Sequence, residues 1–487
     1  MKNKSLLLPL FLLLNIACLF GQEQLGLRLE NYSGINSVFL NPAATISAPI
    51  KWDVNLVSTG FFLENNYGFV KKASVLALYR QRKDLDVRYA GDVDNENALP
   101  QNTFVADYND DGKDRYVSSL LTINGPSAMV KFNKHTIGAF YNYRFAFGSP
   151  NIPTNLSFYT YDKRDFFDEF PITPFDGSMM VWDETGVNYA YKVETNAGFL
   201  AVGANIKYLR GKEAAYFENV NTFDLVKIGQ DSIASALATF DYGLTTASLE
   251  EETFANKTTG IGFGIDLGAS ATFGGFKDEG YTLKIGVALL DFGYIDFTQN
   301  AQQHRAEITQ YTDISVEEFE NIQEVNQYNE LLQQFSEETT GSPTQTLREN
   351  NFRMVLPTGI SLQADYSFDE NIFLNATVVH GLRLGKPGIV RNSIIAITPR
   401  YEHRWFSVQM PLVLHNYQNF RVGLAGRLAF LTIGTDNIGS LVGRFSNFTG
   451  TDIYVGLKFN PFNTGTGDRY SGPGRKKLGR KGVKCYF

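Results

Sequence analysis

A pattern typical of calcium binding begins at Asp107. Acidic or amide side chains alternate from there to Asp111, and Gly112 follows, as in the first half of a loop whose oxygens wrap the cation. The twelfth position is Ser118, where a bidentate glutamate is expected. Such clusters are also ordinary turn sequence. Both interpretations stay open, and the calcium site would use these ligands: Asp107, Asn109, Asp111 and Asp114.

No other pattern predicts catalysis or a cofactor. The glycine-rich run 260–264 is similar to a phosphate-binding loop, but no lysine or helix follows it. It fits better as a strand whose small inward side lies close to backbone or to a plug. We therefore expect a protein that is not an enzyme and has no cofactor apart from the calcium alternative. The histidines show no metal-ligand spacing: His135, His304, His380, His403 and His415.

Strands are the elements that must position any site in this chain. The sequence has 14% aromatic residues, with 44 Gly, 39 Phe and 25 Tyr, which favours strands over helices. From Tyr281 to Leu289, apolar residues alternate with small or polar ones, and the same period of two recurs at 261–268, 421–430 and 453–459. Runs of about ten residues suit a tilted crossing of a membrane. Beyond the N-terminus, no apolar run reaches the length of a membrane helix.

The connections between these strands alternate between short and long. Tight turns are expected at 133–134, 194–196, 368–370, 403–404 and 436–437, with a break in the second strand at Gly125–Pro126. The external insertions are expected at about 72–115, 148–184, 211–257 and 298–350. This alternation is typical of outer-membrane barrels, which have short periplasmic turns and long outer loops. We therefore predict an all-β, transmembrane antiparallel up-and-down β-barrel of about 14 strands at residues 52–460.

The chain ends carry their own signals. Residues 1–21 have the basic, apolar and small-residue regions of a secretory signal, which predicts export. With only Cys18 and Cys485, the mature chain would have no internal disulfide. The basic segment 461–487 is expected in the periplasm, either solvated or in contact with an anionic partner. We expect a protein of the cell outer membrane with both termini periplasmic, in contact with lipid and not with nucleic acid.

Two features could serve function inside or outside the barrel. Three inward-facing cations could line a polar lumen, bind an acidic head group, or pair with lumen carboxylates such as Asp266: Arg421, Arg427 and Lys458. In the acidic region 298–350, a capping box at Ser315 and Glu318 predicts a helix, with Phe319, Ile322, Val325, Leu332 and Phe335 at helical spacing. That helix would cover the barrel mouth or bind a partner.

The segment 33–44, SGINSVFLNPAA, resembles the start of the FadL-like outer-membrane barrels, whose motif lies here at Asn41, Pro42 and Ala43. It is also similar to the PorV and PorP/SprF barrels of type IX secretion and gliding. Shorter likenesses continue at 125–127, 290–293, 356–358, 365–366 and 434–437, nearest an uncharacterised branch from type-IX-secreting Gram-negative bacteria. The resemblance implies a fourteen-stranded barrel with an N-terminal hatch at residues 22–51.

The resemblance also implies two kinds of function, because FadL relatives carry apolar cargo whereas PorV relatives bind proteins. Our first hypothesis is a non-enzymatic barrel that associates with other envelope proteins, in a secretion, surface-assembly or gliding role. The alternative is a FadL-like transporter or channel for apolar small molecules. A general porin is the third.

Overall fold

The computed structural model describes residues 23–460, except 94, 96–97, 101, 110, 157–163, 230–231, 248–254, 256, 275–279, 310–311, 316–326 and 444–446. The predicted signal sequence, both cysteines and the basic tail lie outside the described residues. Among the described residues, no helix is both long and apolar enough to cross a bilayer.

Within this part of the chain, fourteen antiparallel strands pair side by side, and the first pairs with the last to close a barrel. Four of these strands are interrupted at a proline or a glycine, as at Gly125–Pro126, where the Asn55 amide donates to the carbonyls of Asn124 and Gly125. The barrel strands are β1 Trp52–Asn65, β2 Arg115–Asn124 with Ser127–Phe132, β3 His135–Ile152, β4 Asp176–Thr195, β5 Gly198–Asn219, β6 Gly260–Phe273, β7 Leu283–Phe297, β8 Phe352–Val355 with Gly359–Ser367, β9 Ile372–Gly381, β10 Ile394–Glu402, β11 Phe406–Gln409 with Leu412–His415, β12 Asn419–Val422 with Leu424–Leu428, β13 Leu431–Thr435 and β14 Gly450–Phe459.

The alternating pattern has the predicted orientation. Phe263 on the outer face of β6 is 62% exposed, whereas its neighbour Asp266, on the inner face, is 1% exposed. An apolar exterior around a polar interior is the reverse of a soluble protein and suits a wall that faces lipid. Aromatic side chains meet near the short turns, as in the girdles of membrane barrels: Phe132 with His135, Tyr366 with Phe368, Tyr401 with Phe406, and Phe430 with Phe459.

Several strand limits differ from the sequence expectations, since β3 runs to Ile152 and β5 to Asn219, both within regions expected as external insertions. β4 begins at Asp176, within a region expected as a loop, because residues 180–184 are buried in succession and show no alternation. The tight turn expected at Asp436–Asn437 is wrong, since the chain already turns at residues 429–430, where Ala429 has a left-handed φ of 51°. β13 is therefore only five residues long. Helix Ile438–Leu441 lies in the connection that follows.

The long connections contain smaller elements at one end of the barrel. Strands Thr239–Thr245, Ala301–Glu307 and Leu347–Glu349 extend the barrel sheet beyond β5. Two further sheets are formed by Glu169–Ile172, Phe223–Lys227, Ser232–Ala236 and Thr312–Ser315, and by Gly68–Val70, Asp86–Tyr89 and Thr103–Tyr108. The connections also contain helices at Val75–Arg80, Ala90–Asp92, Thr154–Leu156 and Gln327–Thr340. The segment before β1 contains helices at Leu25–Arg28, Gly34–Phe39 and Ala44–Ser47.

The structure tests only part of the helix predicted in the acidic region 298–350. Helix Gln327–Thr340 includes Phe335, which packs edge-on against Tyr242. Ser315 ends a strand, and the predicted helix residues Glu318, Phe319, Ile322 and Val325 lie outside the described residues.

Candidate functional site

The N-terminal segment fills the inside of the barrel. Residues 23–51, which we call the plug, are mostly buried, and their hydrogen bonds reach strands around the wall. The side-chain amide of Gln409, on β11, donates to the Gly26 carbonyl of the plug. The side-chain amide of Gln363, on β8, donates to the Leu40 carbonyl. On the opposite side, the Asn205 amide of β5 donates to the Val38 carbonyl. The plug is therefore fastened to the wall on several sides.

The Asn41–Pro42–Ala43 motif docks against glycines of the wall. The Asn41 side chain accepts from the Ala43 amide at 2.9 Å and donates to the Ala269 carbonyl at 3.2 Å. A Cβ added to Gly203 would lie 2.6 Å from the Pro42 carbonyl, and one added to Gly268 would lie 2.8 Å from the Pro42 Cδ. The motif thus occupies a depression that only residues without a side chain leave open.

A buried ion network surrounds Asp291 above the plug. A register shift between β6 and β7 and a left-handed φ of 51° turn this carboxylate into the lumen. There it meets the guanidinium of Arg144 at 3.0 Å, the ammonium of Lys207 at 2.5 Å and the guanidinium of Arg391 at 3.0 Å. Further carboxylates balance these cations, because Glu184 pairs with Arg144 and Asp266 with Lys207.

The same network reaches the plug through Arg391. Its Nε and Nη2 donate to the two carboxylate oxygens of Glu23 at 3.0 and 3.1 Å. Arg28 of the plug contacts the same carboxylate at 3.4 Å. Because Arg391 lies in the connection between β9 and β10, it links one long connection, the wall and the start of the plug.

A second set of polar contacts holds the middle of the plug. The Arg427 guanidinium pairs with Glu30 at 2.8 Å, and the Asn31 side-chain amide donates to Glu402 at 2.9 Å. Lys458 donates to the Tyr32 carbonyl and lies 3.9 Å from Asp53. Charges and hydrogen bonds therefore fasten the plug to the wall, alongside four apolar clusters that join plug side chains such as Leu25, Ile35 and Ile46 to wall strands.

A third cluster joins strands beyond the end of the short β13. The fully buried Glu64 carboxylate of β1 meets Arg421 of β12 and His415 of β11, each at 2.8 Å. Tyr116 donates to the same carboxylate at 2.8 Å. Nearby, the Tyr454 hydroxyl of β14 donates to the Asp436 carboxylate at 3.0 Å. Side chains thus join strands that no continuous β-ladder connects here.

Small cavities lie inside the barrel among the residues that the structure describes. One, of about 40 Å³, lies among Glu23, Arg28, Arg144, Arg391 and the apolar Ile389. A second of about 40 Å³ lies between the plug and Lys284, Gln363 and Asp365. Each has room for a few water molecules at most. In this conformation the lumen is closed to solutes.

The predicted lumen residues are inside the barrel, where the three cations face carboxylates other than Asp266. Arg421, Arg427, Lys458 and Asp266 are all buried, at 8% exposure or less. None of the three cations pairs with Asp266, whose ion-pair partner is Lys207. The cations face Glu64, Glu30 and Asp53 instead.

The sequence analysis missed the centre of the network. Asp291 breaks the alternation of β7, and its bulge depends on pairing with β6. Arg391 and Glu23 are 368 positions apart, so nothing local links them. The fragment 290–293 was noted for its resemblance, but no charge pattern in it indicated a hub.

The structure does not gather the calcium candidates into one site. The Asp107 carboxylate pairs with Lys71 at 2.9 Å, and the Asp111 carboxylate pairs with Arg115 at 2.6 Å. The Asn109 amide and the Asp114 carbonyl are both hydrogen-bonded to Asn66. Over the described ranges, no group of three or more His, Cys, Asp or Glu side chains is arranged to hold a metal ion.

A protein-family model described as "Family of unknown function (DUF5723)" matches residues 42–436. No curated protein sequence matches the chain. The chain is similar to the toluene transporter TodX of P. putida, at 11% identity over 88% of this chain and 94% of that one, with a TM-score of 0.40.

Two further solved barrels are similar. The toluene transporter TbuX of Ralstonia pickettii has 8% identity over 88% of this chain and 94% of that one, with a TM-score of 0.29. A FadL homologue of Pseudomonas aeruginosa has 8% identity over 90% and 96%, with a TM-score of 0.22. Likenesses of this size support no inference about activity.

Proposed function

The chain belongs to the DUF5723 family of unknown function, and we propose that it is a non-enzymatic outer-membrane channel for apolar small molecules, gated by its plug. The observation behind this proposal is that the plug fills the lumen and is held there by charge pairs, hydrogen bonds and four small, separate apolar clusters. Charged and polar groups that lose a protein partner can be hydrated in a water-filled lumen, whereas a continuous apolar core would resist opening. The plug therefore acts as a hatch that can move.

The apolar class of solute is supported by the lumen at the end with long connections. Buried apolar side chains from several strands form one cluster there, and such linings bind apolar molecules. Methionines in it are adaptable enough to repack around a solute. TodX and TbuX are themselves described as toluene transporters, although the proposal rests on this chain's own lumen. The cluster contains Met180, Trp182, Leu209, Ile295, Phe297, Phe352, Met354 and Leu356.

We place the short turns, the start of β1 and the end of β14 on the periplasmic side. β1 begins and β14 ends at the end of the barrel that carries the short turns, and barrels of this kind keep that end inside. Association with envelope proteins, our first hypothesis from sequence, has no comparable support in the described contacts. Transport therefore replaces it as the leading hypothesis.

A disulfide between plug and wall tests the proposal. The Thr45 hydroxyl lies 3.1 Å from the Asn188 side-chain oxygen, so Thr45→Cys with Asn188→Cys, in a Cys485→Ser background, brings two thiols together. We expect oxidation to lower protein-dependent toluene uptake through outer membranes at least about ten-fold, and reduction to restore it. The matched control is Ser58→Cys with Asn124→Cys, which joins β1 to β2 and leaves the plug free.

Three outcomes would count against a gated apolar channel. Equal uptake with the plug locked and unlocked would show that the plug does not gate. Absence of uptake by the wild-type protein would refute transport of this solute class. Steady ion conductance of the wild-type protein in planar bilayers would instead indicate a general porin.

A further inference from the structure

We propose that the cavity beside Glu23 is a binding site for a small oxyanion, and that the Glu23 carboxylate of the plug is its built-in competitor. The site lies between the start of the plug and the ion network around Asp291. It is an effector site and goes beyond the proposed transport, because an oxyanion bound there would loosen the plug whatever solute the barrel carries.

The donors around Glu23 have the geometry of an oxyanion site. Arg391 presents Nε and Nη2 as a fork to both carboxylate oxygens, at 3.0 and 3.1 Å. This bidentate arrangement suits a carboxylate and a phosphate equally well. Arg28 adds a third donor to the same group at 3.4 Å. All three side chains are buried, so solvent competes little for these donors.

Two donors at the cavity have no protein partner. The Nε atoms of Arg28 and Arg144 are buried and make no hydrogen bond, and both residues line the cavity. Buried polar atoms without a partner are rare in folded proteins, and each represents a cost that a suitable ligand can remove. These free guanidinium donors point to an acceptor, and therefore to an anion.

The balance of buried cations and carboxylates around the cavity indicates that its ligand is negatively charged. Without Glu23, the group has four cations, Arg28, Arg144, Lys207 and Arg391, but three carboxylates, Glu184, Asp266 and Asp291. One negative charge is then missing from a buried site, where an unbalanced charge is expensive. A bound oxyanion restores the balance that the Glu23 carboxylate otherwise supplies.

The two anions compete because they need the same donors. The Nε and Nη2 atoms of Arg391 already bind both Glu23 oxygens, so an oxyanion can take this fork only when the Glu23 side chain leaves. Its departure breaks the bidentate pair that fastens the start of the plug to the connection between β9 and β10. Oxyanion concentration would therefore set how firmly this end of the plug is held.

Calorimetric titration of the detergent-solubilised full chain with inorganic phosphate, against chloride at equal ionic strength, tests the site. We expect Glu23→Ala to bind phosphate at least about ten-fold more tightly than the wild type, because the competitor is gone. Adding Arg391→Lys, which keeps the charge but loses the fork, should reverse that gain. Should this variant fail to fold, Glu23→Ala with Arg28→Lys serves the same purpose.

The matched control is Glu30→Ala, which removes another plug carboxylate, paired with Arg427 away from this cavity. Its phosphate affinity should equal that of the wild type. A Glu23→Ala variant that binds no more tightly than the wild type, or a Glu30→Ala variant that gains as much, would overturn the proposal. Acetate in place of phosphate shows whether the site takes carboxylates as well. Because binding is measured without transport, failure here leaves the uptake test of the channel intact.

Discussion

A Cβ added to Gly268 would lie 2.3 Å from the Oδ1 of Asn41, closer than nonbonded atoms approach. The same Oδ1 accepts the Ala43 amide, so it cannot withdraw without opening the turn at Pro42. The absence of a side chain on one wall strand is thus a condition for the docking of the plug motif.

Gly268→Ala should therefore displace the middle of the plug. The overpacked contact should cost about 1–3 kcal/mol, and amide hydrogen exchange at residues 40–45 should accelerate accordingly. Gly148→Ala is the matched control, because its Cβ would lie an ordinary 3.7 Å from the Val117 carbonyl. Unchanged exchange in Gly268→Ala would show that the motif does not need this glycine.

Replacing Arg421 should weaken the closure of the wall beside the short strand β13. Arg421→Met keeps the volume but leaves the buried Glu64 carboxylate with one cation fewer, at a cost of about 3–5 kcal/mol in the free energy of unfolding. Arg305→Met, which breaks an exposed pair with Glu307, should cost less than about 1 kcal/mol. Urea unfolding of both variants in the same detergent gives the comparison, and equal losses would contradict a special role for Glu64.

The sheet extension beyond β5 should weaken in acid because of His304. This side chain stacks on Tyr242 at 4.8 Å, and burial lowers its pKa from 6.5 to about 4. As the pH falls below 6.5, the unfolded extension takes up a proton that the folded form refuses, so stability is full above pH 6.5 and declines towards pH 4. Hydrogen exchange of residues 301–307, corrected for intrinsic rates, should report this decline. In His304→Phe the decline should disappear; if it persists, other groups cause it.

The barrel was predictable from sequence because its signal is local. Alternation from Leu283 to Leu289 depends only on which face meets lipid, and the strand of the structure follows it. The charges at Arg427 and Lys458 were assigned to the inner face for the same reason, and both are buried there. Their partners could not be predicted, because Glu30 and Arg427 are 397 positions apart and only the complete fold brings them together.

The errors lie where tertiary pairing overrides a local preference. Asp436–Asn437 is good turn sequence, yet the chain turns at Ala429, a residue that seldom adopts a left-handed conformation. Asp291 would face outward in a regular strand, and only a bulge against β6 turns it inward. The centre of the candidate site was therefore out of reach of pattern analysis.

A substitution at Asp291 can test the contribution of its negative charge while keeping the backbone conformation of the bulge. Asparagine also tolerates a left-handed φ, so Asp291→Asn keeps the backbone and removes one negative charge from among Arg144, Lys207 and Arg391. We expect a loss of about 3–5 kcal/mol, since buried cations are left without a full counter-charge. Trp182 donates to Glu184 at 2.9 Å beside this network, so its fluorescence should report the unfolding.

Asp296→Asn is the matched control, on the outer face of β7, where Asp296 pairs with the exposed Arg353. It should lose less than about 1 kcal/mol. Equal losses in the two variants would mean that the network around Asp291 contributes no more than a surface ion pair, and the plug would then be held by its glycine-lined docking site and its other hydrogen bonds.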